Sequence, residues 1–174
     1  MLSAISVKPK KSFSSLFLRS ASKLFPIKVS GVSQQKEPLH IKIQAEKYQF
    51  DIDEPKKIGG TETGPSPLHV MLSSLAGCEV VLFRLVARQK KVQIGEVQIE
   101  VNGELDPTSF RNPDIFPGFQ KIEVEMKLES EADDKTIHEV FELAEKKCPI
   151  ASIVGTHPKI TFTSKWERLS KSKN

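Results

Sequence analysis

Gly64-Pro65-Ser66-Pro67-Leu68-His69-Val70-Met71-Leu72-Ser73-Ser74-Leu75-Ala76-Gly77-Cys78 is a breaker, a cap and an apolar helix in direct succession. Gly64-Pro65 ends whatever precedes it. Ser66 offers a side-chain oxygen to the first free N–H groups, and Pro67 suits the first helical position. The helix predicted from there runs to about Gln89. It is apolar nearly all round, through Leu68, Met71, Leu72, Leu75, Ala76, Val80, Val81, Leu82, Leu85 and Val86. Such a helix is expected to be buried and central to the fold. A second, shorter helical stripe is Ile137, Val140, Phe141, Ala144 and Cys148, where Pro149 interrupts it. The chain has two cysteines, and each stands at a defined place in its own apolar helix. Two thiols so placed suggest a working pair.

Strands are predicted around the two helices. Leu39, Ile41, Ile43 and Ala45 alternate, then Tyr48, Phe50 and Ile52. Beyond the first helix, Val97, Ile99 and Val101 alternate, and so do Ile122, Val124, Met126 and Leu128. Lys159 to Trp166 is the last alternating segment, and Glu167 to Asn174 is expected to fray. The body therefore resembles two similar halves, with strands in adjacent pairs and helices between them. That pattern predicts an α+β fold with mostly antiparallel sheets.

Composition narrows the class. A chain of 174 residues, 38% hydrophobic and 28% charged, has the balance of one ordinary globular domain. Two cysteines are too few for a disulfide scaffold. No apolar run is read as long enough to span a bilayer, so no transmembrane segment is expected. The net charge of +4 is unevenly spread. Lys8, Lys10, Lys11, Arg19, Lys23, Lys28 and Lys36 precede the first acid, Glu37, so the remainder is mildly acidic. A folded domain without a basic face argues against a nucleic-acid partner. Residues 1–36 are basic, serine-rich and free of acids, with Phe13, Phe17, Leu18, Ala21 and Leu24 at helical spacing. They resemble a mitochondrial transit peptide, which implies the matrix as location; a basic tail is the alternative. Gly31 to Lys36 is then expected to be a linker, and residues 37–174 the domain.

Gly59-Gly60, Gly64-Pro65-Ser66-Pro67, Leu75-Ala76-Gly77-Cys78 and Ala144-Glu145-Lys146-Lys147-Cys148-Pro149, in this order and setting, resemble the OsmC/Ohr family of cysteine peroxidases. The resemblance covers about Leu39 to Trp166. It implies an OsmC-like fold in an intertwined homodimer, with long helices sandwiched between two sheets. It also implies thiol chemistry on an organic hydroperoxide. Cys78 would be the peroxidatic thiol and Cys148 the resolving thiol, cycling through a sulfenic acid and a disulfide. A dithiol reductant, for which a lipoyl protein is a candidate, would restore both. No cofactor and no metal is implied.

The family's activating pair is not found in this sequence. Leu68 stands where the peroxidases carry a glutamate, and no arginine occurs between Lys36 and Arg84. A free thiol needs nearby positive charge to ionise at neutral pH. Lys42, Lys47, Lys56 and Lys57 are the candidates, without arginine's bidentate fork. Two functional readings follow. One is the organic hydroperoxide reductase. The other is a catalytically lapsed OsmC-fold protein, an accessory subunit of a larger mitochondrial complex.

Other residues carry structural readings. His69 is about 180° round the helix from Cys78 and suits the helix start. His157 beside Pro158 suits a turn. Gly59-Gly60 lacks the Gly-Lys-Ser/Thr ending of a phosphate loop. Cysteine and histidine spacings match no zinc motif. Arg84 and Arg88 fit the surfacing end of the helix. Phe110, Ile115, Phe116 and Phe119 would wall an apolar pocket or form a docking surface.

Overall fold

The computed structural model describes residues 27–169. Most of the segment expected to be a transit peptide, residues 1–26, and the last residues, 170–174, lie outside it. Strand β1 (Val29–Gln34), β2 (Glu37–Ala45) and β3 (Tyr48–Ile52) form an antiparallel meander in that order. Ala45 pairs with Tyr48 across a two-residue turn, and Glu46 takes the positive φ of 54° that such a turn requires. Gly31 to Gln34, expected as linker, belongs to β1. Every residue of β1 is exposed, so its side chains carry no inside-outside alternation.

The loop after β3 is organised by one buried carboxylate. Asp53 accepts hydrogen bonds from the backbone N–H of Glu54, Thr61 and Thr63 and from the hydroxyls of both threonines. Burial opposes its charge, but those donors outweigh burial and hold its pKa below the usual carboxylate range. Gly60 is required where the loop folds back, because a Cβ there would lie 1.7 Å from the Glu54 carbonyl oxygen.

Helix α1 (Pro67–Lys90) starts as expected, with the Ser66 hydroxyl accepting from the His69 N–H at 3.4 Å. Lys91, at φ 60°, ends it in a left-handed conformation. The second sheet follows: β4 (Val97–Leu105) antiparallel to β5 (Phe119–Leu128), and β6 (Thr161–Arg168) on the other side of β5. Between β5 and β6 run α2 (Asp134–Lys147) and α3 (Pro149–Gly155). This crossover makes β6 parallel to β5, a departure from wholly antiparallel pairing. The two halves therefore differ in topology within the expected α+β class. Arg168 is held by the Asp134 carboxylate and by the Ser130 and Ala132 carbonyls, so β6 extends past the point where fraying was expected.

The core lies where α1, α2 and α3 meet the second sheet. Phe83, Val86 and Ala87 of α1 pack with Met126, Leu128 and the Ile137–Ala144 stripe of α2. Leu75 packs with Ile122, Val124, Cys148, Ala151 and Val154. Helix α1 is covered on this side only. Val81 is 57% exposed, Leu68 and Met71 are exposed, and a Cβ on Gly77 would meet no other atom. The all-round apolar character that predicts full burial is thus not satisfied within one chain. By length and composition α1 is also apolar enough to cross a membrane, contrary to the expected absence of such a run. Its packing on α2, α3 and β4 makes it a core helix of this fold.

Candidate redox site

The buried residues of α1 are Leu75, Glu79, Phe83, Val86 and Ala87. Their spacing of four, four, three and one traces one helical stripe. Cys78 stands beside that stripe and is half-buried. On the second segment, Cys148 closes the α2 stripe and is fully buried. It belongs to two helices at once. Its N–H is bonded to the Glu145 carbonyl at the end of α2, and its extended backbone (φ −76°, ψ 113°) opens α3, with Pro149 in the first helical position. Its sulfur accepts from the Ala151 N–H at 3.4 Å. The break imposed by proline holds the thiol at a fixed point against α1.

The two thiols, 70 positions apart in sequence, meet there. Cys148 Sγ donates to Cys78 Sγ at 2.9 Å, and both cysteines are free. Burial pushes the Cys148 thiol up to about 12. Donation to Cys78 and the charge of Glu79 push the same way, and the Ala151 N–H opposes them. Cys148 is therefore held as a thiol, while Cys78 is the sulfur a small molecule can reach.

Sequence reading missed Glu79. It is 1% exposed, and its Oε1 has no hydrogen-bond partner among the described residues. Burial raises its pKa, the Cys148 thiol opposes the rise, and the charge of Glu145 adds to it. The signal was a single acid inside an apolar stripe, directly after Cys78.

The remaining candidates are elsewhere. The His69 Nδ1 is 2.7 Å from the Ser66 hydroxyl, within the start of α1. Lys47 lies over the Tyr48 ring, and Lys56 pairs with Glu62. Arg84 bonds the Gly95 carbonyl. His157 stacks on Phe116 at 4.8 Å. Phe110 is 70% exposed and Phe119 is buried in β5, so the aromatic loop does not form one wall. Among the described residues no group of three His, Cys, Asp or Glu side chains is arranged to hold a metal ion.

Residues 60–163 match the family model described as OsmC-like protein. The chain is 28% identical over 105 residues to a protein of Mycoplasma pneumoniae named hydroperoxide reductase, spanning 60% of this chain and 71% of that one. Its fold is similar to the crystal structure of an OsmC-like protein from Mycoplasma pneumoniae, with a TM-score of 0.74, 20% identity, and 84% and 99% of the two chains covered. It is similar again to the organic hydroperoxide resistance protein OhrB of Bacillus subtilis, with a TM-score of 0.56, 19% identity, and 83% and 100% covered. The family match takes in more than half of the chain and contains both thiols, the stripe that carries Glu79 and the crossover that brings Cys148 to α1. The protein belongs to the OsmC-like family.

Proposed function

We propose that the protein is a thiol peroxidase that reduces organic hydroperoxides through Cys78 and Cys148. The carrying observation is the sulfur pair itself: one half-buried, one fully buried, 2.9 Å apart. The names of the Mycoplasma and Bacillus relatives support peroxide chemistry. In the first step the Cys78 thiolate attacks the outer peroxide oxygen. The O–O bond breaks, the alkoxide takes a proton from solvent, and an alcohol leaves. Cys78 is now a sulfenic acid. In the second step the Cys148 sulfur attacks the Cys78 sulfur, the S–O bond breaks, and water leaves as the disulfide forms. A dithiol then restores both thiols by exchange and is itself oxidised. The apolar residues around the pair favour organic over hydrogen peroxide.

The working form is a homodimer. Val81 and Gly77 present an open face of α1, on the side turned away from the buried stripe. The β1–β2–β3 sheet has no extensive contact with the second sheet of its own chain. A second copy would cover these surfaces. The basic, acid-free residues ahead of β1, with Lys8, Lys10, Lys11, Arg19, Lys23 and Lys28, support delivery to the mitochondrial matrix, where a lipoyl protein is a suitable dithiol donor.

The test is a single turnover of the reduced protein with cumene hydroperoxide, followed by stopped-flow fluorescence and intact mass. The wild type should lose two hydrogens rapidly. Cys148→Ser should gain one oxygen and stop there, and Cys78→Ser should not react. Oxidation of the wild type no faster than a free thiol would refute the proposal.

A further inference from the structure

We propose that Glu79 is the proton acceptor and donor for Cys148 in the disulfide-forming and disulfide-breaking steps. The inference rests on the thiol cycle above and names the group that makes its second half feasible.

Three observations carry it. Glu79 occupies the α1 stripe between Leu75 and Phe83, a position whose neighbours on that stripe are apolar and buried. Its carboxyl is out of contact with solvent, with Oε1 unpartnered among the described residues. The geometry brings the reacting thiol to it: Cys148 packs with Leu75, one turn before Glu79 on the same stripe, and meets Cys78, the residue directly before Glu79. A buried acid without compensating partners is costly and is expected to be replaced by an apolar residue unless its charge is used.

Cys148 has one proton, donated to the Cys78 sulfur, and Glu79 is the buried carboxylate whose pKa responds to that thiol. When Cys78 becomes a sulfenic acid, the Cys148 proton must leave as its sulfur attacks. Glu79 takes that proton while the S–S bond forms and the S–O bond breaks. Glu79 then gives the proton to the departing hydroxide, which becomes water. No net proton is gained or lost, Cys148 sulfur is oxidised and Cys78 sulfur is reduced. In the return direction Glu79 takes the proton of a dithiol's thiol as that sulfur attacks Cys78, the S–S bond breaks, and Glu79 passes the proton to the Cys148 thiolate as it leaves. The groups that act on Glu79 are Cys148, at the α2–α3 junction, and Glu145 of α2, with Cys78 linked through Cys148. Glu145 accepts from the Ser164 hydroxyl on β6.

The experiment separates this role from peroxide specificity by loading Cys78 in two ways. Cumene hydroperoxide makes the sulfenic acid. Diamide (azodicarboxylic acid bis-dimethylamide) adds the Cys78 thiolate across its N=N bond, and Cys148 then displaces the hydrazine. Closure of the disulfide is timed by quenched-flow intact mass in the wild type, Glu79→Gln and Glu79→Asp, with dimedone trapping any lasting sulfenic acid. Glu79→Gln should close about 100-fold more slowly relative to Cys78 loading, the ordinary scale of acid–base assistance. Glu79→Asp should recover part of that loss. The wild-type closure rate should follow one ionisation and then level off, well before the Cys148 thiol itself ionises at about 12.

Equal closure rates in wild type and Glu79→Gln with both reagents would overturn the inference. A wild type inert to hydroperoxide but closing in a Glu79-dependent way after diamide would overturn the peroxidase proposal and support this one. Should Glu79→Gln not fold, the wild-type profile decides. A closure rate that climbs tenfold per pH unit through pH 10 would mean that no acceptor is at work.

Discussion

The position of Glu79 makes a prediction about stability that is independent of turnover. Burial raises its pKa in the folded protein, and the charge of Glu145 adds to this. In the unfolded chain the same carboxyl titrates near about 4.3. Between these two values the folded state holds a proton that the unfolded state has released. The proton count is then larger in the native state, so stability falls as pH rises through that window. The contribution is intact below about pH 4.3 and lost above the folded pKa. One proton sets the slope, a loss of about 1.4 kcal/mol per pH unit inside the window and none beyond it.

Glu79→Gln removes this titration and keeps the side-chain volume. The reduced wild type and the variant are unfolded in urea at half-unit steps from pH 4.5 to 8, at one fixed protein concentration so that any association cancels. Other carboxylates, including Asp53, contribute equally to both proteins, so the difference isolates Glu79. That difference should move in favour of Glu79→Gln at up to about 1.4 kcal/mol per pH unit and then flatten. The pH of flattening should coincide with the pH at which disulfide closure levels off in the wild type, since one ionisation governs both. A stability difference that is constant across the range would refute the claim that the carboxyl is buried and uncompensated. A difference moving the other way would mean that an unrecognised cation stabilises its charge.

Three further outcomes follow from the fold. Phe83→Ala empties the centre of the α1–α2 core, where Phe83 is fully buried, and should cost about 3–5 kcal/mol in urea unfolding. Asp53→Asn removes the carboxylate charge that Thr61, Thr63 and Glu54 hydrogen-bond. Because the Asp53 pKa is lowered, its contribution is present above about pH 3.9 and lost as pH falls, so the deficit in Tm should be full at pH 7 and shrink at pH 3. Val81→Glu places a charge on the open face of α1 and should shift sedimentation from dimer toward monomer with circular dichroism unchanged; an unshifted dimer would mean that the second copy sits elsewhere.

Period and punctuation made most of the architecture legible. The helix expected from the Ser66 cap to about Gln89 is α1, Pro67–Lys90, because capping and breaker chemistry are local. The α2 stripe, with Cys148 at its end, was legible for the same reason. Strand β1 was not, since its residues are all exposed and leave no burial pattern to alternate. The direction of β6 was not, because pairing with β5 is decided by the length and path of the α2–α3 crossover and not by the composition of Thr161–Arg168. Full burial of α1 was over-read for a related reason. Apolar residues on every face show that a helix wants cover, and they do not say whether its own chain supplies it.

The missing activating pair has a physical counterpart in what the site contains. Positive charge beside a cysteine serves the first step, where a thiolate must exist before the peroxide arrives. An acid beside a cysteine works against that thiolate, and the charge of Glu79 does push the Cys148 thiol up. Such an acid is useful only at a sulfur whose proton must be removed during a bond-forming step and returned during the reverse one. Glu79 is set against Cys148 and away from solvent, so it suits the resolving half of a cycle and not the attack on peroxide. Activation of Cys78 is then a separate matter from resolution, and the open face of α1 beside it is where a second copy of the chain would bring its own charged groups. On this division of labour, adding free dithiol should relieve a Glu79→Gln variant only partly. Its disulfide opens slowly for the same reason that it closes slowly, because the Cys148 sulfur still leaves without a proton.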